Sequence, residues 1–362
     1  MGHYQVFLPN YSIGSGCYKD IPSITKHYGK KAVVIGGKTA MAKAKDALIE
    51  GIAKTDMEYT GFIWYGGEAS YENGDLLKEN PAVQEADMLF AVGGGRACDT
   101  VKYTADQLGK PLFTFPTLGS NCACCTAISV IYNQDHTFRD YYYPSPAIHT
   151  FIDMDIVAES PENYLWAGIG DALSKEIEAV YSSSEAELFH TPSLGLQVSN
   201  ICTEPLLKYG KKSLEDCRKN AASFELEQVV LDILISTGIV SNLMTGKDYY
   251  YNSSLAHCVY YGSTMIPKCE ENHLHGEIVS FGVLCLLAYD NQLDQFDRIA
   301  QFNKSIGLPV CLADLDLSPE DVPTMTEKAS QSTEWKNAPS GLTKEKFMAA
   351  VLNADQRGTA VK

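Results

Sequence analysis

Cations are scarce in this chain. Its 362 residues hold 29 Lys+Arg against 45 Asp+Glu, a net charge of −16. An acidic surface repels phosphate backbones and anionic bilayers, so neither nucleic acid nor a membrane is expected as a partner. No apolar run approaches the roughly 20 residues of a membrane span. The opening stretch, MGHYQVFLPNYSIGSG, lacks the basic region and apolar run of a secretory leader, and Val6 stands where a myristoylation signal carries Ser or Thr. Internal repeats and low-complexity tracts are absent. Eleven cysteines are present, but no CxxC is matched by a second one, and Cys122, Cys124 and Cys125 are too close to bridge one another readily. Reduced thiols in a cytoplasmic protein are expected.

What the chain does have is enough apolar residues, 45%, for two domains of ordinary size. Its first part alternates strand and helix signals. Residues 31–35 (KAVVI), Phe62 to Trp64, Ala86 to Val92, Pro111 to Pro116 and Ile148 to Ile152 read as short strands, and Thr39 to Ile52 as a helix. Strands separated by helices imply βαβ units and a parallel sheet covered on both faces. From about Pro161 the texture is helical: Glu162 to Tyr181, Glu185 to Tyr209, Ser213 to Met244 and Glu277 to Tyr289, then Ser318 to Ser330 and Thr343 to Asp355 with Ser318 and Thr343 as N-caps. The fold class expected is an α/β dinucleotide-binding domain over residues 1–160, followed by an all-α domain over 161–362.

Gly93-Gly94-Gly95-Arg96 follows one of these strands and opens a helix. Glycines let a backbone approach a pyrophosphate, and free N–H groups at a helix start favour its charge. Three glycines read equally well as a turn needing positive φ, and the motif is not the GxGxxG fingerprint. With Asp99 and Lys102 it becomes GGGxxxDxxK, which resembles the pyrophosphate loop of the superfamily of iron-containing (group III) alcohol dehydrogenases and dehydroquinate synthases. Gly67-Glu68-Ala69-Ser70 resembles that family's G-E-x-S, Pro116 to Ser120 its P-T-x-x-x segment, and Thr126 to Tyr132 the T/S-A-L-S-V-I-Y of its glycerol dehydrogenases. The resemblance runs from about residue 4 to residue 357 and implies a dehydroquinate synthase-like fold. It further implies that Gly37, Lys38, Gly93, Gly94, Gly95, Arg96, Asp99, Thr117, Ser120, Thr126, Ile128 and Tyr132 bind NAD(H) or NADP(H). NAD-specific relatives end the second strand with an aspartate; Gly37 is the equivalent here and Lys38 adds a cation, so NADP(H) is expected to be accepted.

Asp171 in Ala167-Gly168-Ile169-Gly170-Asp171, His257 after Ala256, and His275 in His275-Gly276-Glu277 make a plausible three-ligand metal site with one position open. Taken singly, His257 could be a satisfied core histidine and His275 a surface one. The resemblance implies that all three hold one divalent metal in a catalytic role. Four-ligand iron members carry a histidine four residues after the aspartate, where this chain has Lys175, which favours zinc over iron. A second histidine that usually follows the first is replaced by Tyr260 and Tyr261, and a glycine-rich stretch by Lys247 to Asn252. Where glycerol dehydrogenases place a substrate-binding aspartate, this chain has Cys122. The function expected is therefore hydride transfer between a nicotinamide and a small aldehyde, ketone or 2-oxo acid, in the cleft between the domains of a homo-oligomer. For a carboxylate, Lys175, Lys247 or Arg139 could supply a counter-charge. Two rivals are a dehydroquinate synthase-like cyclase, for which residues 247–275 offer only Lys247 and Lys268 as cations, and a catalytically inactive cofactor-binding relative.

Overall fold

The structure, a computed structural model, describes residues 5–361; Met1 to Tyr4 and Lys362, and with them the start of the stretch judged to lack a leader, lie outside the described residues. The chain divides into two compact units. The first comprises the described residues up to Tyr164 together with Glu215–Ile239; the second comprises Leu165–Leu214 and the described residues from Val240 onward. Glu215–Ile239 falls within the range expected of the helical part, yet it packs with the first unit.

The first unit is built on a six-stranded sheet. In chain order its strands are β1 (Tyr11–Ile13), β2 (Lys31–Gly36), β3 (Glu58–Trp64), β4 (Met88–Gly93), β5 (Leu112–Pro116) and, after an antiparallel hairpin of β6 (Ser129–Tyr132) and β7 (Phe138–Tyr142), β8 (His149–Ile152). The spatial order is β1-β8-β5-β4-β2-β3, and every pairing is parallel. The five strands expected from the sequence are all present. β1 and the β6–β7 hairpin were not anticipated, because β1 has only three residues and β7, FRDYY, has no apolar alternation. Alternation decides which side chain goes where. Ala32, Val34, Phe90 and Val92 face one side with Phe113, Phe115 and Phe151, against Ala44, Leu48 and Ile52 of the helix Lys38–Ile52. Val33, Ile35, Leu89 and Ala91 face the other, against Leu77, Val101 and Ala105.

The second unit is helical except for a two-residue antiparallel pair, Thr245–Gly246 with Tyr249–Tyr250. Several long helical spans expected from the sequence are divided. The span expected over Glu185 to Tyr209 breaks into His190–Ser199 and the start of Glu204–Cys217, which runs on into the next expected span; Pro192 and Pro205 lie in the first turns of these helices, where a missing N–H costs nothing. The Thr343 hydroxyl accepts from Lys346 N at 3.3 Å and starts the helix Lys344–Val361. Ser318 donates through N and Oγ to Asp321 at 2.8 and 2.7 Å.

The continuous helical stretch Phe224–Met244 has 21 residues and a mean hydropathy of 1.4 over its most apolar window, long and apolar enough to cross a bilayer. This corrects the expectation that no run came near that length: Glu225, Glu227 and Asp232 interrupt the apolar run, and all lie in its first half. Two-thirds of the window, 67%, is buried inside the protein, as in a core helix. It contains a π-helical turn, Asp232–Ser236, whose Leu234 carbonyl accepts from the Cys125 thiol at 2.9 Å. All eleven cysteines are thiols, and all but Cys122 are buried.

Asp99 and Lys102 form a buried ion pair at 2.9 Å. Lys102 Nζ also donates to Thr126 O, Thr126 Oγ1 and Ile128 O, and Asp99 accepts from Val130 N at 3.3 Å. The pair thus ties the helix Gly95–Leu108 to the segment leading into β6. Burial pushes the Asp99 carboxyl up from its ordinary value, against the pull of Lys102. Removing one partner of such a pair strands the other charge. Lys102→Met should therefore destabilise the protein by about 3–5 kcal/mol in denaturant titration; a loss below about 1 kcal/mol would show that the pair does not hold this region together.

Candidate metal centre and nucleotide crevice

In the first unit the sheet changes direction beside β2. β3 lies on one side of it and β4 on the other, and ligands of open parallel sheets bind outside the carboxyl ends of strands at such a switch. The ends concerned are Gly36 and Gly93. Gly37 N donates to Val92 O at 3.3 Å and Thr117 N to Gly93 O at 3.4 Å, which laces the ends of β2, β4 and β5 together. Gly93 has φ +143°, and a Cβ on Gly95 would lie 2.8 Å from Asn121 Nδ2. No side chain caps the helix Gly95–Leu108, so its first-turn N–H groups are left for a ligand.

Gly37, Lys38, Gly93, Gly94, Gly95, Arg96 and Thr117 thus gather at one edge. The Lys38 ammonium lies 4.5 Å over the Trp64 ring. Ser120, Asn121 and Cys122 follow β5 in the turn that closes over Gly95. Asp99 and Thr126 are buried, with the Asp99 carboxylate engaged by Lys102 and Val130, and Ile128 and Tyr132 are half-buried. A residue not assigned a role from sequence, Glu68, organises this edge. Buried in the loop after β3, it accepts from Ala69 N at 2.8 Å, meets His136 Nδ1 at 2.5 Å and pairs with Arg96 at 3.3 Å.

In the second unit Asp171, His257 and His275 come together. One ligand atom from each lies within 4.8 Å of the others; Asp171 Oδ1 is 3.6 Å from His257 Nε2 and 3.3 Å from His275 Nε2. Glycines make this possible. A Cβ on Gly170 would lie 2.4 Å from the Gly276 oxygen, and one on Gly276 only 1.9 Å from the Ala167 oxygen. Only bare backbone lets the helices Glu162–Ala172 and His275–Tyr289 touch, so that Asp171 and His275 meet.

His257 is aimed by Glu178, which sequence reading missed. Glu178 is fully buried; its Oε2 is 2.7 Å from His257 Nδ1, and its Oε1 accepts from Ser254 N at 2.7 Å and His257 N at 3.1 Å. An ionised carboxylate only accepts, so Nδ1 carries a hydrogen and Nε2 is the ring nitrogen that faces Asp171 and His275. Burial alone would raise the Glu178 carboxyl, but His257 and the two backbone donors hold it below its usual range. Burial likewise pushes Asp171 up; His275, His257 and Lys175 outweigh it and hold this carboxyl at about 2. The sequence did carry a signal: Glu178 lies seven residues, two helical turns, after Asp171 and so shares its face. His275 has no such acceptor; its ring meets Tyr260 edge-on, centroids 4.2 Å apart. Of the proposed counter-charges, Arg139 is paired with Glu72 at 2.9 Å in the first unit and Lys247 is exposed in a turn.

A profile of the iron-containing alcohol dehydrogenase family matches residues 9–150. A glycerol dehydrogenase of Escherichia coli O6:H1 is 32% identical over 306 residues, 81% of each chain. The chain belongs to the iron-containing alcohol dehydrogenase family. Hydroxycarboxylate dehydrogenase A of Escherichia coli K12 is 29% identical over 289 residues, 79% of this chain and 78% of that one. The crystal structure of a probable glycerol dehydrogenase from Sinorhizobium meliloti 1021 superposes with a TM-score of 0.85 at 26% identity, covering 99% of this chain and 100% of that one. As a member of the family the chain is a metal-dependent, nicotinamide-linked oxidoreductase, and the cyclase reading is not favoured.

Partners that orient a ligating histidine typically contribute ten- to a hundredfold to metal affinity. Glu178→Ala should weaken zinc binding, measured by chelator competition, by about that factor, and Glu178→Gln, which keeps an acceptor, by less. Unchanged affinity in Glu178→Ala would remove Glu178 from the site.

Proposed function

We propose that Asp171, His257 and His275 hold one divalent ion, and that the enzyme interconverts a small carbonyl compound (aldehyde, ketone or 2-oxo acid) and its alcohol. The observation that carries this is the convergence of one carboxylate oxygen and two imidazole nitrogens from three separate helices, with Glu178 fixing the tautomer of one imidazole. The donor set suits a divalent cation and leaves room for a substrate oxygen. Such an ion would polarise that oxygen, and the nicotinamide would exchange hydride with the attached carbon. Lys175 in place of a fourth imidazole supports zinc over iron. His257 and His275 serve by holding neutral nitrogens in place, and Asp171 by supplying the charge.

Asp171→Asn removes that charge and weakens coordination. Activity should fall by orders of magnitude and bound metal should be lost, while the melting midpoint holds, because the helix Glu162–Ala172 keeps its packing. Full activity in Asp171→Asn would refute the assignment.

The cofactor edge supports acceptance of NADP(H). Gly37 follows β2 with no side chain, and the cation of Lys38 lies over Trp64 beside it; neither residue offers a carboxylate to repel a 2′-phosphate. We expect kcat/KM with NADPH to be comparable to or above that with NADH. A hundredfold or greater preference for NADH would contradict this. Cys122, a weak donor and acceptor without charge, supports a substrate other than glycerol. Losing a charged hydrogen-bond partner there costs about 1.5–3 kcal/mol.

A further inference from the structure

Lys175 is a buried cation with no carboxylate in contact among the described residues. Its side chain is 7% exposed. Its ammonium donates to the Asn252 carbonyl at 3.2 Å and to Asn252 Oδ1 at 2.7 Å, and both acceptors are neutral. Among the described residues it has no ion-pair partner. An ammonium has three hydrogens to donate, and two are used. Burying a charge unpaired is costly, and proteins avoid it unless a ligand or a neighbour supplies the opposite sign.

The position of this cation is specific. It stands one helical turn after Asp171, and its field is felt at both Asp171 and His257. Asn252, which holds it, lies in the short irregular segment just before the helix Leu255–Ser263 that bears His257. With an ion in place the two imidazoles ligate as neutral groups, and the remaining fixed charges are Asp171 and Glu178, each −1, and Lys175, +1, which sum to −1. A divalent ion brings the total to +1. Without Lys175 the loaded site would be neutral and would suit an uncharged carbonyl; with it the site is one negative charge short.

We propose that Lys175 binds the carboxylate of the substrate, so that the enzyme acts on 2-oxo acids and their 2-hydroxy acids; this rests on the metal-centred reading above. In reduction the hydride of the reduced nicotinamide forms the new C–H bond at the keto carbon, a proton from solvent completes the hydroxyl, and the carboxylate is unchanged. Lys175 neither gives nor takes a proton. It places the acid group so that the adjacent carbonyl faces the centre.

The test compares matched substrates on the metal-loaded enzyme with saturating NADH or NADPH. 2-Oxobutanoate carries the carboxylate; 1-hydroxybutan-2-one replaces it with a neutral hydroxymethyl group. The readout is the ratio of their kcat/KM values, together with binding of oxamate, an unreactive 2-oxo acid analogue, by calorimetry. Lys175→Met should lower the ratio by about ten- to a hundredfold and weaken oxamate at least about tenfold. Lys175→Gln, which can still donate to Asn252, guards against a folding defect and should do the same. A ratio within about threefold of the native enzyme in a folded, metal-loaded variant would make Lys175 a tether for the Asn252 loop and overturn the proposal. Native enzyme that reduces 1-hydroxybutan-2-one but neither reduces 2-oxobutanoate nor binds oxamate would overturn the Lys175 assignment alone. Failure to reduce either compound or any aldehyde with either nicotinamide would overturn the parent reading instead.

Discussion

Where the helix bearing Asp171 passes the start of the helix bearing His275, a methyl group on Gly276 would sit 1.9 Å from the Ala167 carbonyl oxygen, and one on Gly170 2.4 Å from the Gly276 oxygen. Van der Waals contact forbids any side chain at either place. The backbones therefore touch, and two ligand atoms separated by about a hundred residues of chain come within 3.3 Å. The remaining geometry of the centre depends on this contact. His257 approaches from a third helix, and its ring is turned toward the same point by Glu178, whose two oxygens also take the N–H groups of Ser254 and His257. One buried carboxylate thus orients a side chain and anchors the backbone that carries it.

The electrostatics of the centre follow from burial. Asp171 and Glu178 remain ionised because histidine and backbone donors outweigh the penalty of leaving water. Lys175 keeps its charge company only with neutral oxygens of Asn252. A centre assembled from two carboxylates and one unpaired ammonium favours both a divalent cation and an anionic ligand, which is why substrate charge is the property most worth testing.

The candidate nucleotide edge of the first unit uses different means to a related end. Instead of side chains converging on a point, it offers bare backbone at a switch in strand order, with uncapped N–H groups at the start of Gly95–Leu108. The conspicuous charged pair of its motif, Asp99 and Lys102, is turned inward and braces the loop from behind. A motif residue can thus shape a binding edge without facing it.

The sequence by itself determined the parallel sheet, because runs such as AVVI and MLFAV bury both faces and carry β-branched or apolar residues at every position. It also named Asp171, His257 and His275, since their motifs keep recognisable order and spacing. The tertiary structure alone decided three things. Helical spacing puts Glu178 on the face of Asp171, but only long-range packing brings His257 and Asn252 against that face and buries the carboxylate. The segment Glu215–Ile239 packs with the first unit although its helical periodicity matches that of its neighbours; periodicity says which face is apolar, not what covers it. Lys175 has the composition of a surface residue, and its standing as a buried, unpaired cation exists only once the Asn252 loop folds over it.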